Sequence, residues 1–269
     1  MRAKKLIETI RPFTIPSLLP VWLRPWDVVE ANKKYLKQID ESLVVRLGSC
    51  PLPIRLHKQI PLKKRQLKKL GVEVKDEMAS VLLEKDVVYR MVVYGDKTTG
   101  AEHVAVIKTI GGRKSVPIRI HSSCLTSETF HASNCDCHEQ LELSLQIIEK
   151  EGYGGIIWLH QEGRGNGLAA KARQLTIMIE ECLTTTDAFE KAGYPKEQRD
   201  YSAATDILHD LRIKSVRLIT NNPDKIKQIQ EAGIKVVERI PCEISPFNEV
   251  VKRDLKAKKK ELGHKLTNV

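Results

Sequence analysis

The stretch Ser215-Val-Arg-Leu-Ile-Thr-Asn-Asn-Pro-Asp-Lys-Ile-Lys-Gln-Ile-Gln-Glu-Ala-Gly-Ile-Lys-Val-Val-Glu-Arg-Ile240 decides the fold class. It predicts a strand over 215–220, a helix over 223–232 and a second strand over 234–240. Asn222 stands where a helix N-cap is expected, and Pro223 fills the first helical position, where its missing N–H costs nothing. A strand-helix-strand unit brings its two strands into parallel register, because the helix carries the chain back across the sheet. Upstream the same alternation recurs. A strand over 155–160 runs into Gln161-Glu-Gly-Arg-Gly-Asn-Gly167 and a helix over 168–182. Further helices are expected over 138–150, ending at Gly152, and over 203–211, and a strand over 116–120. Strands over 82–84, 87–94 and 103–110 complete the pattern, the last two joined across the turn 95–100 as a hairpin. The reading is a mixed α/β fold, a partly parallel sheet with flanking helices. Thr184 to Thr186 read as a loop before the segment 187–193, and 250–264 as a charged helix with little chemistry of its own.

The chain has 269 residues, 41% of them hydrophobic and 29% charged, which suits a folded chain with a sizeable core and excludes low-complexity disorder. No apolar run reaches the roughly 18 residues of a membrane span, and no secretory h-region follows Met1, so a cytoplasmic protein is expected. The net charge of +11 is unevenly placed: residues 1–75 hold 17 Lys and Arg against 6 Asp and Glu, and the remainder holds 28 against 28. We therefore divide the chain into a basic, proline-containing extension, 1–77, and a working domain, 78–269. Within the extension, 61–71 reads as a short basic amphipathic helix. A neutral working domain can use positive charge only locally, so any phosphate site must be built from particular side chains. Six cysteines are too few for a disulfide scaffold, and a tight cluster among them points to metal.

That cluster is Cys124, Cys135 and Cys137. Three thiolates suit a tetrahedral zinc ion and leave one corner for water, the arrangement of a catalytic centre; a closed structural site completed by His121, His131 or His138 is the alternative. Cys50, Cys182 and Cys242 read as isolated thiols. The glycine-rich turn Glu162 to Gly167 lets backbone amides approach a ligand, with Arg164 adding a forked cation; equally, it could be only a tight strand-to-helix connection. Thr220, the amides that follow it and Lys225 form a second anion site, or simply a well-capped helix. Glu197 beside Arg199 is either a proton-transfer group next to a phosphate clamp or an ion pair.

Together these pieces resemble the GTP cyclohydrolase II family. The resemblance rests on Arg119-Ile-His-Ser122 with Cys124-Leu-Thr126, Cys135-Asp-Cys137 with Glu139-Gln-Leu141, Gln161 to Gly165, Gly193-Tyr194 with Arg199-Asp-Tyr201, and Leu218 to Pro223. It implies a zinc-dependent hydrolase that opens the base ring of GTP with release of pyrophosphate, magnesium on the substrate phosphates and a homodimer. It makes Cys124, Cys135 and Cys137 the metal ligands. It sets Arg119, Ile120, His121, Ser122, Ser123, Gln140, Glu162, Gly163, Arg164, Thr185, Thr220 and Lys225 around the nucleotide. Glu197 stands where the family has an aspartate acting as proton acceptor, and Arg199 where it has an arginine acting on the α-phosphate. For Arg199 a clamp suits the chemistry better than a nucleophile, since a guanidinium keeps its proton at neutral pH.

Three departures fall on this pocket. Leu175 stands where the family has a catalytic tyrosine, Ser123 where it has a glutamate before the first cysteine, and Thr184-Thr-Thr-Asp-Ala-Phe189 where it has Asp-Thr-Val-Glu-Ala-Asn. The resemblance thus leaves room for a formylated product, for a paralogue that opens a uracil nucleotide in pyrimidine breakdown, or for an inactive nucleotide sensor. A nucleic-acid-binding module with a basic head is disfavoured, because Cys-x10-Cys-x-Cys matches no ordinary zinc-finger spacing.

Overall fold

The structure, a computed structural model, describes residues 42–54, 87–109 and 115–269. The basic helix predicted over 61–71 and the strand predicted over 82–84 lie outside the described residues. Among the described residues seven strands form a single sheet: β1 Val44–Ile54, β2 Val87–Asp96, β3 Glu102–Thr109, β4 Val116–Ser122, β5 Gly154–Leu159, β6 Ser215–Ile219 and β7 Lys235–Ile240. Their spatial order is β1-β2-β3-β5-β4-β6-β7. One half is antiparallel, from β1 through β2 and β3 to β5; the other is parallel, from β5 through β4 and β6 to β7. The mixed α/β architecture is therefore the expected one.

Seven helices lie among the described residues: α1 Leu125–Glu128, α2 Cys137–Glu151, α3 Leu168–Glu180, α4 Thr185–Lys191, α5 Ser202–Asp210, α6 Pro223–Glu231 and α7 Glu249–Leu262. The larger core fills one face of the sheet, where Ala204, Ile207 and Leu208 of α5 and Ile229 of α6 meet Ile118, Ile120, Ile157 and Leu218. On the other face Ile148 of α2 packs with Tyr89, Ile156 and Ile219. With cover on both faces β4 is buried from Val116 through His121, as a central parallel strand requires. No helix among the described residues is long and apolar enough to cross a membrane.

Two features differ from the sequence reading. Residues 44–54, which fall within the stretch read as an extension, form β1 along the whole of β2. Pro51, Pro53 and Gly48 obscure it, yet among the described residues β1 is an edge strand, where a sheet tolerates proline. It is tied to α5 by Arg46 on Asp210, with Tyr94 Oη also donating to that carboxylate at 2.7 Å, and by Leu43 N on Asp206 at 2.6 Å. Second, the threonine run is no loop: Thr184 accepts from Asp187 N at 3.2 Å and caps α4, so Thr185 and Thr186 belong to its first turn.

The topology makes a crevice. From β4 the chain crosses through α2 to β5 on one side, then passes through α3, α4 and α5 to β6 on the other side of β4. Connections leaving the carboxyl ends of β4, β5 and β6 therefore part there, which is where open α/β sheets hold their ligands.

Candidate metal centre and nucleotide cleft

At that crevice the Sγ atoms of Cys124, Cys135 and Cys137 lie within 4.8 Å of one another, and Cys124 and Cys135 are 3.7 Å apart. Zinc–sulfur bonds of about 2.3 Å in tetrahedral geometry place two sulfurs about 3.8 Å apart, so the cluster fits such an ion. Three elements build it. Cys124 follows β4 at the head of α1, Cys135 ends the loop after α1, and Cys137 opens α2. Among the described residues no histidine or carboxylate joins the three thiols. His121 is otherwise engaged, its Nε2 facing Glu128 at 3.1 Å, and the rings of His131 and His138 meet edge to face at 4.8 Å. Among the described residues the cluster therefore offers three ligands.

Electrostatics prepares the cluster for a cation. Cys124 ionises most readily, its charge favoured by hydrogen bonds from Cys135 and Cys137 and by Lys171, whose Nζ donates to its sulfur at 3.0 Å. That charge in turn pushes the thiol of Cys135 up to about 11 and holds Cys137 well above its usual range, so a cation must arrive for all three to ionise together. Lys171 also donates to Glu162 Oε1 at 2.7 Å; burial opposes its charge, but Cys124 and Glu162 more than offset it. Glu128 fixes the same corner, accepting from Cys124 N at 2.6 Å and Trp158 Nε1 at 2.8 Å.

A polar chain leads away from the thiols. Asp136, between two of the cysteines, accepts from Gln140 Nε2 at 2.6 Å, and Gln140 Oε1 accepts from Arg119 at 2.6 Å. The other oxygen of Asp136 faces Lys258 Nζ at 3.7 Å; Lys258 reaches Asp254 at 2.7 Å, and Asp254 accepts from Thr185 Oγ1 at 2.7 Å. Strand, helix N-terminus and C-terminal helix are thus locked into one wall.

Cations gather in the same cleft. Lys225, on the first turn of α6, is buried with its Nζ 2.7 Å from Ile120 O and 4.8 Å from the centre of the Tyr201 ring. Burial lowers its pKa well below the usual value, and Arg119 and Arg199 add to the effect. Arg199 is held by Glu197, which accepts from its Nε at 2.7 Å and from its Nη2. Burial works against that charge, but Tyr201 and Glu197 raise the pKa on balance, so the guanidinium stays protonated. Burial likewise opposes ionisation of Glu197, and Arg199 outweighs it.

The glycine turn has a packing reason as well. A Cβ on Gly165, whose φ is +86°, would lie 2.7 Å from Gln198 O, so the turn can press against that backbone only without a side chain. Arg164 takes a left-handed φ of 57°, which puts its guanidinium on Thr186 Oγ1 and Lys196 O, both at 3.2 Å. Such strain in a residue other than glycine collects at functional sites.

A family model for GTP cyclohydrolase II matches residues 76–241, more than half of the chain. The chain belongs to the GTP cyclohydrolase II family. Its relatives include the riboflavin biosynthesis protein RibBA of Endomicrobium trichonymphae, 39% identical over 182 residues, which is 67% of this chain and 45% of that protein. The proteins of the same name from Phocaeicola vulgatus and Aquifex aeolicus are 40% and 42% identical, each over 66% of this chain and 44% of their own length. The chain spans somewhat under half the length of the curated relatives it matches.

Against this GTP cyclohydrolase II frame, the residues singled out in the sequence come together. Arg119, His121, Ser122, Ser123, Gln140, Glu162, Gly163, Arg164, Thr185, Thr220, Lys225 and Arg199 line one cleft with the three cysteines. Ile120 contributes its carbonyl to Lys225, and Glu197 stands behind Arg199; neither lines the cleft itself. Leu175 is half-buried and also off the cleft wall. The sequence reading missed Lys171, Gln174 and Asp136. It missed the tail too: Asp254, Lys258, Leu262 and His264 line the cleft, so the charged helix is part of the site. The first three of those recur every fourth residue, the spacing of one helix face, which was the available signal.

Proposed function

We propose that this chain is a zinc-dependent nucleotide cyclohydrolase that opens the base ring of GTP hydrolytically and releases pyrophosphate. The observation that carries the reading is the three-thiol cluster in one cleft with Arg119, Arg164, Arg199 and Lys225. Family membership adds the reaction class, hydrolysis of carbon–nitrogen bonds in a ring. Magnesium on the phosphates and a homodimeric assembly belong to the same proposal.

Zinc held by Cys124, Cys135 and Cys137 supplies Lewis acidity and a water acidic enough to act near neutral pH. The protein's own residues do the rest. Lys171 and Glu162, joined at 2.7 Å beside Cys124, hold a proton where the ring is attacked. Lys225, Arg119 and Arg199 bind the phosphates, and Arg199 steadies the charge that develops as pyrophosphate departs. Glu197 spends both carboxylate oxygens on Arg199, so we assign it the task of holding that guanidinium.

A second reading, a paralogue acting on a uracil nucleotide, is favoured by Leu175, which brings no polar group to the cleft. Incubating zinc-loaded protein with GTP, UTP and UMP and following ultraviolet absorbance with formate release separates the two. Loss of guanine absorbance with pyrophosphate release supports the first reading; turnover of a uracil nucleotide alone sinks it. Ring opening of GTP without formate would give the formylated product.

A further inference from the structure

Seven buried side-chain polar atoms among the described residues have no hydrogen-bond partner, and six of them belong to residues of this one cleft. Buried polar atoms are nearly always paired, so such a concentration marks groups waiting for a ligand and not scattered defects. Most sit on residues already placed around the nucleotide or beside the metal. Gln174 does not. The residue is 2% exposed and its buried Nε2 has no hydrogen-bond partner.

The helix explains where it points. Ala170, Lys171, Gln174 and Met178 are the buried stripe of α3. Residues three apart share a helix face, with Cβ atoms about 5–6 Å apart, so Gln174 stands next to Lys171, which touches Cys124 Sγ at 3.0 Å. Gln174 is therefore at the thiol end of the cleft, where a ring must lie to be opened. Leu175, a step of 100° around the helix, is off the wall and leaves Gln174 to supply the polar contact there.

We propose that Gln174 is a specificity-determining residue whose side-chain amide donates a hydrogen bond to a carbonyl oxygen of the substrate's heterocycle, selecting bases that present an acceptor at that edge. The assignment rests on the cyclohydrolase reading and deepens it. Inorganic pyrophosphate, lacking a heterocycle, does not use Gln174.

The test uses the full-length zinc-loaded protein, calorimetric titration, and the α,β-methylene analogues of GTP and UTP beside inorganic pyrophosphate. Q174M keeps the length of the side chain and removes the amide; Q174E replaces the donor with an acceptor. For the analogue that the wild type binds, Q174M raises Kd about tenfold, Q174E raises it further, and pyrophosphate affinity stays within about twofold. The melting temperature of ligand-free Q174M stays at or above that of the wild type, since an unsatisfied amide is replaced by an apolar group; a packing role would lower it. Q174M that binds the analogue as tightly as the wild type, or that loses pyrophosphate equally, removes the assignment alone. Wild type that binds neither analogue removes the cyclohydrolase reading and this assignment with it.

Discussion

Lys225 is the residue whose chemistry a ligand should change most. Its amine is surrounded by Arg119 from β4 and Arg199 from the segment before α5, with Glu197 behind Arg199 and the Tyr201 ring at 4.8 Å. Burial and the two arginines lower its pKa, so the free protein holds that proton less tightly than an exposed lysine would. An anion reverses the sign: phosphate oxygens beside Nζ favour the charged form and raise the pKa. Between the lowered value and the ordinary value of about 10.4, pyrophosphate binding should draw a proton from solvent. Calorimetry in buffers of different ionisation enthalpy reads this directly; uptake in the wild type should vanish in K225M, and equal proton counts in both would remove Lys225 from the phosphate site. Lys171 makes a second residue-scale prediction. Its Nζ supports the Cys124 thiolate, so K171M should weaken zinc binding by about 10- to 100-fold in competition with a chromophoric chelator, as is usual when a group that orients a metal ligand is lost.

Among the elements, α7 is the one whose importance composition concealed. Asp254 is 6% exposed and accepts from both Lys258 and Thr185, tying the tail to α4 and, through Lys258 and Asp136, to the thiol loop. D254A leaves Lys258 with only the longer Asp136 contact in a buried setting, and should cost about 3 kcal/mol in urea unfolding. D254N, which can still accept from Thr185, should cost less; equal losses would show that the charge, and not the Thr185 hydrogen bond, holds the tail. Most elements were legible because each obeys a local rule: Asn222 and Pro223 start α6, Gly152 stops α2 in a left-handed conformation, and unbroken apolar runs mark the buried parallel strands. The three cysteines were legible as a group because chemistry constrains their spacing. Lys171, Gln174 and His264 were not, since each enters the cleft through packing between elements far apart in sequence. Neither was β1, whose prolines a sheet accepts because among the described residues it is the edge strand.

At the scale of the whole molecule, the binding cleft opens where the parallel strands β4, β5 and β6 end, and α3, α4, α6 and α7 all contribute to it. A ligand there touches elements that belong to both cores, so its binding energy should be felt by the global unfolding transition and not by one loop. A nucleotide present at 100 times its Kd adds about 2.7 kcal/mol to stability, which for a domain of roughly 150–250 residues corresponds to about 5–10 °C in melting temperature. Zinc-loaded protein should show this rise with a GTP analogue, a smaller one with pyrophosphate, and none with UMP. Chelation of zinc should reduce the GTP effect, because the ring then loses its contact at the thiols while the cations of the cleft remain. A rise with UMP and none with the GTP analogue would transfer the reading to the uracil nucleotide, with the same thiols, the same clamp and a different base at Gln174.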